Sequence, residues 1–182
     1  MPPATSTSTL GVDEFRGAIR DVPDFPKPGI IFKDITPLLA DGRMFRAACD
    51  AMAAPFRDQG IGVVAAIESR GFILGGPIAA ALGVGLVPIR KVGKLPFESR
   101  RVTYALEYGT DALEVHVDAC LERGNVLIVD DVLATGGTAA AACELIESVG
   151  GTVKGCSFLI ALSFLEGAQR LAGRRIESVL SY

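Results

Sequence analysis

A chain of 182 residues, 49 % hydrophobic and 21 % charged, can bury one sizeable core without disulfide or metal staples, which excludes a disordered polypeptide. Its net charge of −3, from 18 Lys+Arg against 21 Asp+Glu, excludes a protein that coats nucleic acid, and nine Phe, three Tyr and no Trp leave too few rings to stack single strands. No apolar run approaches the roughly 18 residues that a membrane-spanning helix needs.

Met1–Thr9 is rich in Pro, Ser and Thr and lacks an apolar h-region, so it reads as a flexible leader. Leu10, Phe15, Ala18 and Ile19 form one stripe of a helix over Leu10–Arg20. Asp21–Gly29 carries three prolines in nine residues and reads as an ordered or extended loop. A second amphipathic helix is predicted over Met44–Arg57. Val63–Ile67 is a continuous apolar run, the mark of a parallel strand covered on both faces. A helix from about Gly75 to Leu82 and a strand over Gly85–Ile89 follow. Arg90–Gly109 is charged and turn-rich and reads as a lid, its end (Val102–Tyr108) forming a hairpin with Leu113–Val117. Val126–Val129 is another buried strand, leading through a Gly-Gly turn into a helix over Thr138–Val149. Val153–Leu162 and Ile176–Leu180 are the last strands. Strands alternating with helices predict one α/β domain over residues 1–182, with a mostly parallel, helix-flanked sheet. The four cysteines (Cys49, Cys120, Cys143, Cys156) have neither zinc-site spacing nor a disulfide pattern, which points to a reducing compartment, the cytoplasm.

The segment Val-Leu-Ile-Val-Asp-Asp-Val-Leu-Ala-Thr-Gly-Gly-Thr, Val126–Thr138, carries the strongest chemical signal. Four β-formers deliver Asp130 and Asp131 to the C-terminal end of a strand, where open α/β sheets place their ligands. Ala134, Thr135, Gly136, Gly137 and Thr138 then open a helix. The two glycines allow close backbone approach, the helix start offers N–H donors, and the hydroxyls add more, which suits a phosphate monoester. Carboxylates cannot hold phosphate but can accept hydrogen bonds from sugar hydroxyls, so the pair describes a ribose 5-phosphate. Neither a Walker A loop nor a dinucleotide-binding glycine fingerprint follows this strand.

Val126–Thr138 resembles the ribose-phosphate motif of type I phosphoribosyltransferases. Asp24–Ile35 (Asp-Phe-Pro-Lys-Pro-Gly-Ile-Ile-Phe-Lys-Asp-Ile), Glu68–Phe72 (Glu-Ser-Arg-Gly-Phe), Arg90–Pro96 and Tyr104–Gly109 (Tyr-Ala-Leu-Glu-Tyr-Gly) narrow the resemblance to the adenine branch of that family, over essentially Leu10–Tyr182. The resemblance implies a parallel sheet with a small N-terminal hood (residues 21–35) and a lid (residues 90–109). It further implies transfer of a phosphoribosyl group from phosphoribosyl pyrophosphate to adenine, with Mg²⁺ carried on the pyrophosphate rather than on a protein metal site. Its partners would be these small molecules and a second copy of the chain, with no nucleic acid and no membrane.

Under that reading Arg90, Lys91 and Lys94 attend the pyrophosphate, where arginine's planar fork grips two oxygens. Arg70 converges on the same rim and counts with Glu107 as catalytic. The backbone at Glu68–Ser69 lines the pyrophosphate, with a strained or cis peptide expected there. Glu107 matches the proton-transfer group toward adenine N7 and could pair with Lys91. Ile31, Phe32 and Lys33 match the segment that presents backbone groups and a ring to adenine, and Leu162 matches an apolar residue on the purine's other face. Family members often carry Arg where Lys33 stands, and Lys lacks the planar fork. Arg100 and Arg101 either face water or cross to a partner subunit. His116, the only histidine, supports no nucleophile system, and Cys143 lies beyond the first helical turn and should be packed. A transferase for other purines is disfavoured by the short C-terminal segment Arg174–Tyr182, and a non-enzymatic sensor by the absence of spare length or a basic face.

Overall fold

The computed structural model describes residues 10–105, 110–120 and 124–182, and the chain separates after Ala48 into two units. In the first, α1 is only Val12–Gly17, with the Glu14 carboxylate reaching back to the Gly11 N–H at 2.9 Å. The proline-rich stretch is less irregular than its sequence suggests. Strand β1 (Arg20–Pro23) pairs antiparallel with β2 (Ile31–Asp34), Val22 opposite Phe32. Pro23 ends β1, and Pro26 and Pro28 lie in the connection, where the Asp24 carboxylate accepts the Gly29 N–H at 2.8 Å and the Phe25–Pro26 peptide is cis. A short helix that periodicity did not signal, α2 (Thr36–Ala40), starts where Asp34 accepts both the N–H and the hydroxyl of Thr36. The next, α3 (Gly42–Ala53), opens on the Asp41 carboxylate, which accepts the N–H groups of Arg43 and Met44. It gives way to a 3₁₀ turn at Ala54–Phe56, short of the predicted Arg57, because Pro55 cannot continue the α-helical ladder.

The second unit is built on a seven-stranded sheet in the order β5-β6-β4-β3-β7-β8-β9. Its parallel body comprises β3 (Val63–Ile67), β4 (Gly85–Lys91), β7 (Asn125–Leu133), β8 (Thr152–Ala161) and β9 (Ile176–Ser181). At one end β5 (Ser99–Ala105) and β6 (Thr110–His116) add an antiparallel hairpin. Every residue of β3 is buried, as expected of a strand covered on both faces. Alternate residues serve opposite layers. Val63, Ala65 and Ile67 join the core under α5 (Gly137–Ser148) with Leu145, Ile128 and Phe158. On the other face Ala66 meets α4 (Arg70–Leu82), where a Cβ on Gly75 would lie 2.5 Å from the Ala66 Cβ. This helix begins at Arg70, a turn before the predicted start.

The stretch read as a lid is largely strand. Arg90 and Lys91 end β4, residues 99–105 form β5, and turns occupy residues 92–98. Successive side chains along β5 point to opposite faces, so Arg101 faces Glu114 while Val102 packs on the core.

Chain direction along the sheet reverses between β3 and β7. From β3 the chain crosses through α4 to β4 on one side, and from β7 through α5 to β8 on the other. Such a switch point leaves a crevice at the C-terminal strand ends, between the starts of the two following helices.

Candidate active site

The crevice collects the residues singled out around the ribose-phosphate motif. Gly136, at φ +79°, precedes α5, and the first intrahelical bond runs from the Ala140 N–H to the Gly136 carbonyl at 2.9 Å. The N–H groups of Gly137, Thr138 and Ala139 therefore stand ahead of the helical ladder, and no side chain caps them. That is an anion cradle at the positive end of a helix dipole. Its floor is backbone. A Cβ on Gly136 would lie 2.2 Å from the Gly167 carbonyl oxygen, and a Cβ on Gly167 would lie 2.0 Å from that of Ala134. Gly167 was not among the sequence candidates, since only a contact across the fold gives it a role.

Asp130 and Asp131 occupy the end of β7. Asp131 is buried and forms an ion pair with Arg70 at the start of α4. The Asp130 carboxylate accepts the Asp131 N–H at 2.9 Å. Burial, reinforced by the neighbouring Asp131 charge, pushes the Asp130 carboxyl well above the usual aspartate range. Gly71 lets α4 come this close, because a Cβ there would lie 2.9 Å from both Asp130 Oδ1 and the Val129 carbonyl oxygen.

The basic cluster gathers around Glu68. Its carboxylate accepts Lys94 Nζ at 2.6 Å, the Lys91 N–H at 3.0 Å and Arg90 Nε at 3.3 Å. Burial pushes this carboxyl up, but the hydrogen bonds from Lys94, Lys91 and Arg90 outweigh it and hold the group at about 2. The Glu68–Ser69 peptide is cis, one of the two geometries anticipated there. Lys91 turns its ammonium to Asp111 and to the Tyr104 hydroxyl, 3.5 Å away. Arg90, Lys91, Lys94 and Arg70 thus each meet a carboxylate, so the cations are positioned with their mutual repulsion offset. Arg101 bonds Glu114, which also accepts the Gly93 N–H at 2.9 Å and ties the β4–β5 turn to the hairpin.

The remaining candidates divide between the units. In the first, Ile31 is exposed, Phe32 meets Phe25 edge-on at 5.3 Å, and Lys33 Nζ bonds Asp21 at 2.7 Å. In the second, the partly buried Leu162 follows β8 and donates its N–H to the Leu133 carbonyl at 2.9 Å. Glu107 lies outside the described residues. His116 meets Phe97 edge-on, and Cys143 is buried with its Sγ 3.7 Å from that of Cys156. Among the described residues no helix is long and apolar enough to cross a membrane, and no cluster of three or more His, Cys, Asp and Glu is arranged for a metal ion.

Residues 37–175 match the phosphoribosyl transferase domain family. The adenine phosphoribosyltransferase of Myxococcus xanthus is 54 % identical over 182 residues, spanning 100 % of this chain and 99 % of the relative. That of Nitrosococcus oceani is 52 % identical, covering 94 % of this chain and 100 % of its own. The crystal structure of adenine phosphoribosyltransferase from Rhodothermus marinus superposes with a TM-score of 0.89 at 52 % identity, over 94 % of this chain and 98 % of the other. The enzyme from Saccharomyces cerevisiae, solved with adenine and an imino-altritol bisphosphate, gives 0.87 at 38 % identity, over 93 % and 98 %. With the strand order, the anion cradle and the paired acids all in place, this chain belongs to the adenine phosphoribosyltransferase family.

Proposed function

We infer that the protein transfers the 5-phosphoribosyl group of phosphoribosyl pyrophosphate to adenine, giving AMP and pyrophosphate in purine salvage. The observation that carries this reading is the juxtaposition, at one switch point, of an uncapped helix start, two adjacent carboxylates and a basic cluster. Ala134–Thr138 cradle the 5′-phosphate, and Asp130 and Asp131 accept hydrogen bonds from the ribose hydroxyls. Glu68 and Ser69, through their backbone, with Arg70, Arg90, Lys91 and Lys94, attend the pyrophosphate. As the anomeric C–O bond breaks, positive charge grows on the ribose and negative charge on the departing pyrophosphate. The carboxylates face the first and the cations the second, which is the differential stabilisation that accelerates the step. Mg²⁺ belongs to the substrate, bound to the pyrophosphate. Phosphate and pyrophosphate held at opposite ends fix the anomeric carbon for attack by adenine N9.

Adenine is assigned to Ile31, Phe32 and Lys33 with Leu162, and proton transfer near N7 to Glu107; these roles rest on the motif match. Backbone groups that read the N1 acceptor and N6 donor reject guanine, because the wrong base leaves buried polar groups unpaired. Lys33 brings charge without a planar fork, so the base is held by those backbone groups. The reading places the protein in the cytoplasm, as a homodimer. Support for the dimer is α4, apolar around most of its circumference yet exposing Ile73 by 44 %.

The test is a panel in which the protein, Mg²⁺ and phosphoribosyl pyrophosphate meet adenine, guanine, hypoxanthine, xanthine and orotate in turn. Nucleotide formed from adenine alone is the expected result. Turnover of another base instead overturns the substrate assignment, and tight binding with no product from any base overturns the activity.

A further inference from the structure

Two side chains near the closed end of the β5–β6 hairpin have no part in the proposed reaction. Tyr104 and Asp111 are partners in the antiparallel register, so their side chains project from the same face of the sheet. On the neighbouring strand Lys91 pairs with Leu113, two residues from Asp111, and joins them on that face. On the same face Val102 and Leu113 belong to the apolar cluster that includes Ala139 of α5. A continuous polar chain crosses it. Thr138 Oγ1 lies 3.3 Å from the Tyr104 hydroxyl, which lies 3.2 Å from Asp111 Oδ2. Lys91 Nζ bonds the same Asp111 oxygen and lies 3.5 Å from the Tyr104 hydroxyl. The chain therefore runs from the phosphate cradle to a pyrophosphate cation, the two ends of the substrate.

The donors and acceptors fix its polarity. An ionised carboxylate only accepts, so the single proton of Tyr104 points to Asp111. The Tyr104 oxygen then accepts from two donors, the Thr138 hydroxyl and the Lys91 ammonium, and both contacts are longer than the usual range for such bonds. Two donors share one oxygen.

We propose that Tyr104 and Asp111 are positioning residues that couple occupancy of the phosphate cradle to the placement of Lys91. This inference rests on the phosphoribosyl-transfer reading. A phosphate in the cradle accepts the Thr138 hydroxyl proton and withdraws it from Tyr104. The Tyr104 oxygen is then left to Lys91, which closes the longer contact and anchors its ammonium between Tyr104 and Asp111. Lys91 has three N–H donors; with two directed to Asp111 and Tyr104, the third is aimed at the pyrophosphate. A filled cradle thereby pre-positions the cation for the leaving group, and each end of the substrate tightens the other by the same factor.

The experiment is isothermal titration of Mg²⁺-pyrophosphate into the protein with and without saturating ribose 5-phosphate, for wild type, Tyr104→Phe and Asp111→Asn. Wild type is expected to bind pyrophosphate at least ~5-fold more tightly when ribose 5-phosphate is present, the lower end of ordinary coupling between sites. Both variants are expected to reduce that factor to below about twofold, while Tyr104→Phe keeps the affinity for ribose 5-phosphate alone within about threefold. In steady state Tyr104→Phe should raise KM for phosphoribosyl pyrophosphate and leave that for adenine unchanged. A purely structural hydroxyl would alter the melting temperature without touching the coupling factor. The proposal is overturned if either variant retains the wild-type factor, or if wild type shows none. Should wild type make AMP yet show no coupling, only this inference fails; should it bind neither ribose 5-phosphate nor pyrophosphate, the functional reading fails with it.

Discussion

Asp130 and Asp131 are adjacent in sequence but differently provided for. Asp131 has the Arg70 guanidinium, whereas the half-buried Asp130 has the Asp131 N–H and lies beside another carboxylate. An acid whose pKa is raised by folding opposes stability in its charged form. That opposition is absent below the unfolded aspartate pKa of about 3.9 and grows as pH rises through and beyond it. Asp130→Asn keeps the acceptor for the Asp131 N–H and removes the charge. It should therefore raise the melting temperature at pH 7, by about 2–4 °C for each kcal/mol relieved in a protein of this size, and give no gain below about pH 4. Scanning calorimetry at the two pH values checks this, and a gain that is equal at both would refute the charge explanation. The same variant should weaken phosphoribosyl pyrophosphate, the usual cost of a charge kept for function.

Among the elements, the loop from Ala134 to Thr138 owes its shape to a partner remote in sequence. Gly167 opens a 3₁₀ turn (Gly167–Leu171), and its backbone lies directly against the Ala134 carbonyl and the Gly136 N. A methyl group there has no flexible side chain to push aside, only backbone. Gly167→Ala should cost about 1–3 kcal/mol in stability, the range of an overpacked interior. It should also raise KM for phosphoribosyl pyrophosphate about tenfold or more, since a displacement near 1 Å is enough to misalign a positioned group. Thermal melts and steady-state kinetics read both effects; normal kinetics with unchanged stability would show that the loop does not depend on this contact. Strand β4 matters in a similar way. Its continuation through Arg90 and Lys91 puts both residues beside Glu68 at the end of β3, rather than on a free loop.

At the scale of the whole molecule, the balance of charge hides a local arrangement. The net charge of −3 gives no hint that Arg70, Arg90, Lys91 and Lys94 gather at one crevice, each met by a carboxylate. Under the proposed function a pyrophosphate group would exchange with those carboxylates for the cations, which favours a multiply charged anion over a singly charged one. The proposed homodimer belongs at this scale too. Phe72, Ile73, Leu74, Ile78 and Leu82 leave α4 little polar surface, and Ile73 stays exposed, with Leu86 on β4 exposed by 40 %. Ile73→Glu would place a charge in that contact and should shift the protein in sedimentation from twice 19.0 kDa toward the single-chain mass. A variant that sediments as wild type would move the interface elsewhere or exclude it.

The alternation of buried strands with helices, and the Val126–Thr138 motif, were legible in the sequence because both are local. A run such as Val63–Ile67 declares its burial on both faces, and two acids followed by a Gly-Gly turn declare an anion site wherever the strand ends. Segment bounds failed where local and tertiary forces compete. Prolines at 23, 26 and 28 suggested loop although β1 gains a partner in β2, and the predicted hairpin strand Val102–Tyr108 is observed as Ser99–Ala105, its charged start included. What only the tertiary structure decided is which groups meet. Arg70 and Asp131 lie 61 positions apart, Thr138 and Tyr104 lie 34 apart, and Gly167 supports a loop that precedes it by a whole strand. Periodicity carries no information about such pairs, because they arise from strand order and register, which the sheet fixes as a whole.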